Sequence, residues 1–213
     1  MFDRVVFSIG RLCDSLYIPL GTCSLINKTN IIVTAAHVVN GSDKNLCIMI
    51  NNINNGYQDT NPANHSFATV KIKSINPIYD LCVLEIIGTN PVKSNISIAT
   101  TDEVMVGDNL KTFGFPHSDL GRLVLTYQNT EVGAKIIMYN NKIPSKHMVL
   151  NVQARPGQSG SPVLDILRNK LIGILIGPYV PNKKSSIMIG GIDPQTLHQT
   201  THVVSAEYLK EMI

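Results

Sequence analysis

Short apolar runs, interrupted by polar turns rich in Asn, Gly and Pro, succeed one another along the chain, and strand signals dominate. Val5–Ile9 alternates weakly. Tyr17–Ile26 and Ile31–Thr34 flank the polar turn Asn27-Lys28-Thr29-Asn30 and predict a hairpin, and Leu46–Ile50 is a further apolar strand. Thr69–Ile75 sets Val70 and Ile72 against Lys71 and Lys73, as a half-buried strand does, whereas Leu81–Ile87 is continuously apolar and suits a strand buried on both faces. Residues 51–64 predict a long exposed loop and residues 90–101 a linker. Beyond it, strands are expected at Asn109–Phe113, Leu123–Tyr127, Ala134–Tyr139, Met148–Gln153, Leu171–Ile176 and Thr201–Val204. Ser205–Glu211 reads as a short C-terminal helix with Ser205 as its N-cap. The pattern is all-β.

Three stretches stand out from this background. Thr34-Ala35-Ala36-His37 closes one apolar run, Tyr79-Asp80 opens another, and Gly157-Gln158-Ser159-Gly160-Ser161-Pro162 sets a serine between glycines. A serine hydroxyl is a weak nucleophile until a base lies within hydrogen-bond reach, and that base needs a partner to orient it. His37 suits the base, Asp80 the orienting carboxylate and Ser159 the nucleophile. The backbone N–H groups of Gly157 and Ser159 suit an oxyanion hole, in which the loss of one donor costs about 100- to 1000-fold in rate. Each stretch alone has an ordinary reading: a Gly-Ser loop, a structural histidine, a turn aspartate. Their conjunction carries the argument.

In their order and flanks the three motifs resemble the chymotrypsin-fold (trypsin-like) serine proteases. Gly114-Phe115-Pro116 extends the likeness to the HtrA/Deg-like branch, beside the glutamyl-endopeptidase-like and viral ones. The resemblance implies two six-stranded antiparallel β-barrels in one protease unit. Residues 1–90 would carry His37 and Asp80, 91–101 the linker, and 102–213 Ser159 and a short C-terminal helix. It implies a serine endopeptidase acting on protein or peptide substrates, with no cofactor and no metal. Gln158 stands where trypsin-type zymogens carry an aspartate, so activation by pairing with a new N-terminus is not expected, and no peptide-binding PDZ module is expected after Ser159. The disulfide that flanks the histidine in secreted relatives cannot form, because Gly21 and Val38 occupy its positions.

The same likeness locates a primary specificity pocket at Val152–Arg155, Leu175–Gly177 and about Gln199–Val203. Gln153 at its base is not acidic, which argues against cleavage after Arg or Lys. Leu175 takes the place of the histidine found in glutamyl-specific relatives, and favours an aliphatic side chain. Ile176, Gly177 and Thr201 would line the pocket. His202 either points into it or sits at the core edge. Pro178 removes one N–H from the strand that would pair with substrate.

Composition narrows the rest. With 44% hydrophobic residues and a mean hydropathy of +0.10, the 213-residue chain has ample material for one unit. A net charge of +3 and a pI near 8.6 are too mild to argue for nucleic acid, and Lys71, Lys73, Lys183 and Lys184 read first as solvated. No window is apolar enough for a membrane span and no signal peptide is visible. Cysteines 13, 23, 47 and 82 show no metal spacing. These features predict a cytoplasmic or intracellular protein, with viral and bacterial origins both compatible. His65, His117, His147 and His198 are expected in surface loops. The competing class is a protease-fold module that binds partners with little turnover.

Overall fold

The computed structural model describes residues 2–14, 16–179 and 200–213. The first half closes into a barrel of six strands: β1 (Val6–Cys13), β2 (Leu16–Leu25), β3 (Ile31–Ala35), β4 (Leu46–Ile50), β7 (Ser66–Asn76) and β8 (Leu81–Ile86), in the order β1-β2-β3-β8-β7-β4. Closure leaves no edge, which is how a short-stranded antiparallel sheet avoids unpaired backbone. Its strands bury Val6, Ile9, Ile32, Val33, Ile48, Val70, Leu81, Val83 and Leu84 completely, in one hydrophobic cluster. The single-turn helix α1 (Ala36–Val39) follows β3 directly and ends at Asn40 in the left-handed conformation.

Residues 51–64 are more than an exposed loop. They form a small hairpin, β5 (Ile53–Asn54) with β6 (Tyr57–Gln58), and the Gln58 side chain ties it to the second half. Its Nε2 donates to the Leu125 carbonyl and its Oε1 accepts from the Leu125 N–H, both at 2.7 Å.

The segment predicted as a linker is packed chain. Ser94 and Ile96 are buried, and β9 (Ser97–Ile98) adds in parallel to a later strand. The second half is a seven-stranded sheet in the order β13-β10-β11-β12-β15-β14-β9. It is built from β10 (Asn109–Gly114), β11 (Thr126–Asn140), β12 (Ile143–Leu150), β13 (Pro162–Asp165), β14 (Lys170–Tyr179) and β15 (Thr200–Ser205), and β13 also pairs with β14. Ala134–Tyr139 lies wholly within the long β11, which begins at Thr126 and so takes in only the last two residues of the strand read at Leu123–Tyr127; β11 is bulged between Val132 and Ala134. The C-terminal helix is present at Ala206–Glu211 as a 3-10 helix, and Ser205 does not cap it through its side chain: its hydroxyl accepts the Thr101 N–H at 3.2 Å.

Of the two hydrophobic clusters among the described residues, the halves share one. Phe113, Phe115, Leu164, Leu171, Ile174, Val204 and Leu209 join the first barrel's cluster, while Leu110, Val132, Met148, Leu150, Val163, Ile172, Leu175 and Val203 form a separate one. Stacked rings fasten the seam, Phe2 on Phe113 at 4.3 Å and Tyr79 on Tyr208 at 4.0 Å. The functional motifs of the sequence meet at this seam. All four cysteines are unpaired.

Candidate active site

Asp80 ends the turn that feeds β8. Asn76 Oδ1 shapes that turn by accepting the N–H groups of Ile78 and Tyr79, and Asp80 itself takes a left-handed φ of 54°. Aspartate tolerates this conformation better than most residues. Its carboxylate then meets α1 with both oxygens. The backbone N–H of His37 donates to Oδ1 at 2.8 Å, and His37 Nδ1 lies 2.6 Å from Oδ2. The Asp80 carbonyl also accepts the Ala36 N–H at 3.0 Å. The histidine ring is thus fixed by its own backbone and by its ring nitrogen together. Nδ1–H faces the carboxylate, Nε2 faces away from it, and the His37 side chain remains 46% exposed at the cleft.

The nucleophile turn begins with Arg155-Pro156-Gly157-Gln158. The Gln158 N–H donates to the Arg155 carbonyl at 3.1 Å, proline occupies the second position and Gly157 the third with φ 88°, which is a type II turn. A Cβ on Gly157 would also sit 2.3 Å from the Phe115 carbonyl oxygen. The Pro156 carbonyl is held by the His117 N–H at 2.7 Å, so the same peptide directs the Gly157 N–H the opposite way. Among the described residues, neither the Gly157 nor the Ser159 N–H donates to a protein acceptor, which leaves both available to a developing oxyanion.

Thr22, which the sequence did not single out, holds this turn together with Thr34 and Gly160, each of which lies inside one of the outstanding stretches. Thr22 on β2 is fully buried: its hydroxyl donates to the Gly157 carbonyl at 2.8 Å and accepts the Phe115 N–H at 3.3 Å, and its N–H donates to the Ser159 carbonyl at 2.9 Å. Thr34, three residues before His37, donates to the Thr22 carbonyl at 2.7 Å. Gly160 (φ 85°) lets the turn settle here, since a Cβ would lie 2.1 Å from both Thr22 O and Thr34 Oγ1. The uncharged Gln158, buried where a trypsin-type aspartate would stand, accepts the Arg155 N–H at 2.8 Å and donates to Gln128 on β11 at 2.7 Å. The only signal for Thr22 was its place in a predicted strand.

Ser159 Oγ donates to the Ile176 carbonyl at 2.9 Å, not to His37 Nε2. Ile176 is the extra residue of a bulge between Leu175 and Gly177 in the β14–β15 pairing.

The residues expected to bind substrate separate into distinct environments. Gln153 is half-buried on the approach to the turn. Thr201 is buried, and its hydroxyl donates to the Val152 carbonyl at 2.5 Å. Leu175 packs into the second core, and its backbone bonds the Gly160 N–H and the Ser161 carbonyl. His202 lies on the face of β15 opposite Thr201, because successive side chains of a strand alternate. Gln199, His198, Lys183 and Lys184 lie outside the described residues.

His147, expected in a surface loop, is instead buried on β12, one diagonal step from His202. Its Nδ1 lies 2.8 Å from His202 Nε2 and its Nε2 lies 2.7 Å from Ser145 Oγ. Burial, helped by His202, pushes the His147 pKa down to about 4. Burial also lowers that of His202, against a raising influence from Asp80. Among the described residues, no cluster of three or more His, Cys, Asp or Glu side chains is arranged to hold a metal.

Comparison with known proteins accords with this geometry. Residues 21–174 match the family model of the trypsin-like peptidase domain, a span that contains His37, Asp80 and Ser159. No curated protein sequence matches. Among solved structures, the MamO protease domain from Magnetospirillum magneticum superposes with a TM-score of 0.69 at 14% identity, covering 99% of this chain and 96% of that one. The Rv3671c protease from M. tuberculosis in its active form gives 0.67 at 17% identity, covering 99% and 79%. The HtrA-type protease AlgW with a bound tripeptide gives 0.64 at 16% identity, covering 98% and 58%. At these identities the likeness establishes the fold.

Proposed function

We propose that this chain, which belongs to the trypsin-like peptidase domain family, is a serine endopeptidase working through an acyl-enzyme on Ser159. The observation that carries the reading is the two-point hold of Asp80 on His37, which commits Nδ1–H to the carboxylate and keeps Nε2 available as a base. His37 Nε2 takes the Ser159 hydroxyl proton as Oγ bonds to the scissile carbonyl carbon. The carbonyl oxygen becomes an oxyanion between the Gly157 and Ser159 N–H groups. Collapse breaks the C–N bond, and the leaving amine receives the proton from His37. A water molecule, deprotonated by His37, then attacks the ester, and the acid product leaves with Ser159 reprotonated. Asp80 stays ionised throughout and balances the imidazolium.

Within this reading the second sheet is a second barrel, because its pairings run from β13 through β10, β11, β12 and β15 to β14 and back to β13. The Ser159–Ile176 hydrogen bond is a resting state: a substrate main-chain N–H takes over the Ile176 carbonyl and frees the hydroxyl to turn towards His37. That same hydrogen bond is what favours the second reading, a protease-fold binding module with little turnover. Fluorophosphonate labelling separates the two. Covalent modification at Ser159 that disappears in Ser159→Ala and His37→Ala supports the peptidase. A folded wild-type protein that resists the probe supports the binding module.

A further inference from the structure

A cavity of about 340 Å³ lies between the turn that follows β2, the strand β9 and the end of the C-terminal 3-10 helix. No residue of the candidate active site lines it. Its apolar surface comes from Ile26 and Ile96, both buried, and from Ile98 and Ile213, which pack partly buried on the shared core cluster. The charged side chains on its lining are Lys28 and Lys210. Both are exposed, and among the described residues neither makes an ion pair. The hydrogen bond from Lys170 holds the Glu103 carboxyl below its usual range, with Lys210 a weaker influence, so that acid is already taken.

The backbone at the same place is unpaired. β9 is the last strand of its sheet and joins β14 on one side only. The N–H groups of Ser97 and Ala99 donate to the Asn169 and Leu171 carbonyls at 3.0 and 2.9 Å, so these two residues direct their backbone to β14. Successive residues of a strand turn their N–H and carbonyl to opposite sides, and Ile98, between the two, therefore turns its pair outward. Among the described residues neither group has a hydrogen-bond partner. Asn27 stands close by: its N–H is bonded to the Ile96 carbonyl at 2.8 Å, and its exposed side chain has no partner among the described residues. An open strand edge is a template for another extended chain, and the charge beside it selects which chain. The two lysines disfavour a second copy of this protein, whose net charge is +3, and favour an acidic segment.

We propose that the free edge of β9 and the adjoining cavity form a docking site, separate from the candidate active site, for an extended acidic peptide segment that carries an aliphatic residue. The segment exchanges N–H and carbonyl with Ile98 as an added strand, sets its aliphatic side chain among the isoleucines of the cavity, and brings flanking carboxylates to Lys28 and Lys210. The outward donor and acceptor of Ile98 are what call for a peptide. A simple anion or a phosphate backbone satisfies the lysines but has no N–H to give to the Ile98 carbonyl. With one outward-facing residue in β9, two main-chain hydrogen bonds are available, which puts the dissociation constant on the order of 10–100 μM.

Fluorescence anisotropy with a fluorescein-labelled Asp-Glu-Ile-Val-Glu-Asp amide tests this, on the full chain carrying Ser159→Ala so that no turnover of the probe enters. Binding should saturate, and a Lys-Lys-Ile-Val-Lys-Lys amide should bind at least about tenfold more weakly. Lys28→Glu/Lys210→Glu, two changes at exposed positions, should weaken the acidic probe by at least about tenfold with an unchanged melting temperature. A probe N-methylated at Ile and Val keeps every charge and side chain and loses the N–H groups that a strand donates, so it too should bind at least about tenfold more weakly. Amide exchange at Ile98, followed by NMR, should slow by at least about tenfold in the saturated complex. Absence of saturation up to about 1 mM overturns the docking site. So does an affinity within about twofold of the original for the charge-reversed protein or the basic peptide. Equal binding of the N-methylated probe, or an Ile98 amide that exchanges unchanged in the saturated complex, overturns it as well, by showing an anion site held by the lysines alone.

Discussion

Thr22 is the most economical place to ask whether the seam between the halves governs catalysis. Thr22→Val keeps the shape of the side chain and removes its hydroxyl. The change strips the Gly157 carbonyl of its 2.8 Å donor and the Phe115 N–H of its 3.3 Å acceptor, both at a fully buried position, while the Thr22 N–H to Ser159 carbonyl bond survives. Two buried hydrogen bonds at about 1 kcal/mol each put the stability loss near 2 kcal/mol. For a chain of this length that is a melting temperature lower by about 4–8 °C. The catalytic effect should lie below that of deleting an oxyanion donor, because the Gly157 N–H is displaced and not removed, so a loss of about 10- to 100-fold is expected. The assay is the second-order rate of fluorophosphonate labelling at Ser159, measured beside a thermal melt, with Thr22→Ser restoring the hydroxyl. A melting temperature that falls as expected while the labelling rate stays within about twofold of wild type would refute the reasoning. Thr22 would then hold the halves together without setting the geometry of the turn.

Two further outcomes follow from the same geometry. Asp80→Asn keeps the size of the group but no longer fixes the proton on His37 Nδ1, so labelling should slow by on the order of 10⁴-fold with the melting temperature little changed; a loss under about tenfold would show that the 2.6 Å contact does not set the tautomer. His147 gives the protein an acid sensitivity of its own: below pH 6.5 the unfolded chain gains a proton there that the folded chain refuses until about pH 4, so stability falls as the pH drops through that window. Going from pH 7 to pH 5 should cost up to about 2 kcal/mol, read by denaturant titration at each pH, and His147→Gln should flatten the profile; an unaltered slope would mean that the residue is not buried in its neutral form.

The reacting groups of the proposed site were nominated from the sequence because each depends on its immediate neighbours. The Ala-Ala before His37, the turn at Asp80 and the Pro-Gly ahead of Ser159 are local conditions, written within a few residues. The strands were legible where an apolar run or a clean alternation marked them, as at Leu46–Ile50 and Thr69–Ile75, and failed where a fold-level irregularity intervened. The bulge at Gly133 made β11 look like two strands, and β13 is too short to show a period beside the nucleophile turn. What lay hidden was the support. Thr22 meets Gly157 across 135 residues of sequence, Gln128 meets Gln158 across 30, and His147 meets His202 across 55. No window along the chain contains such pairs, and neither a threonine in a strand nor a glutamine before a serine announces a role.

This division has a mechanistic consequence. On the proposed reading, the first barrel supplies the base and the group that orients it, and the second half supplies the nucleophile and both oxyanion donors. The relative placement of the two sets depends on the few bonds that cross the seam. Thr22 makes three of them at one residue, and Thr34, close to His37, grips the Thr22 carbonyl from the other side. The chain from His37 through Thr34 and Thr22 to Ser159 therefore runs entirely through buried hydrogen bonds and a few peptide units, a short and stiff path in a low-dielectric setting. Displacement along that path alters the distance between base and nucleophile directly, whereas the Phe2–Phe113 stack joins the halves by ring packing on another part of the seam. Damage at the threonines should accordingly appear in the rate of acylation, and damage at the stack in stability first.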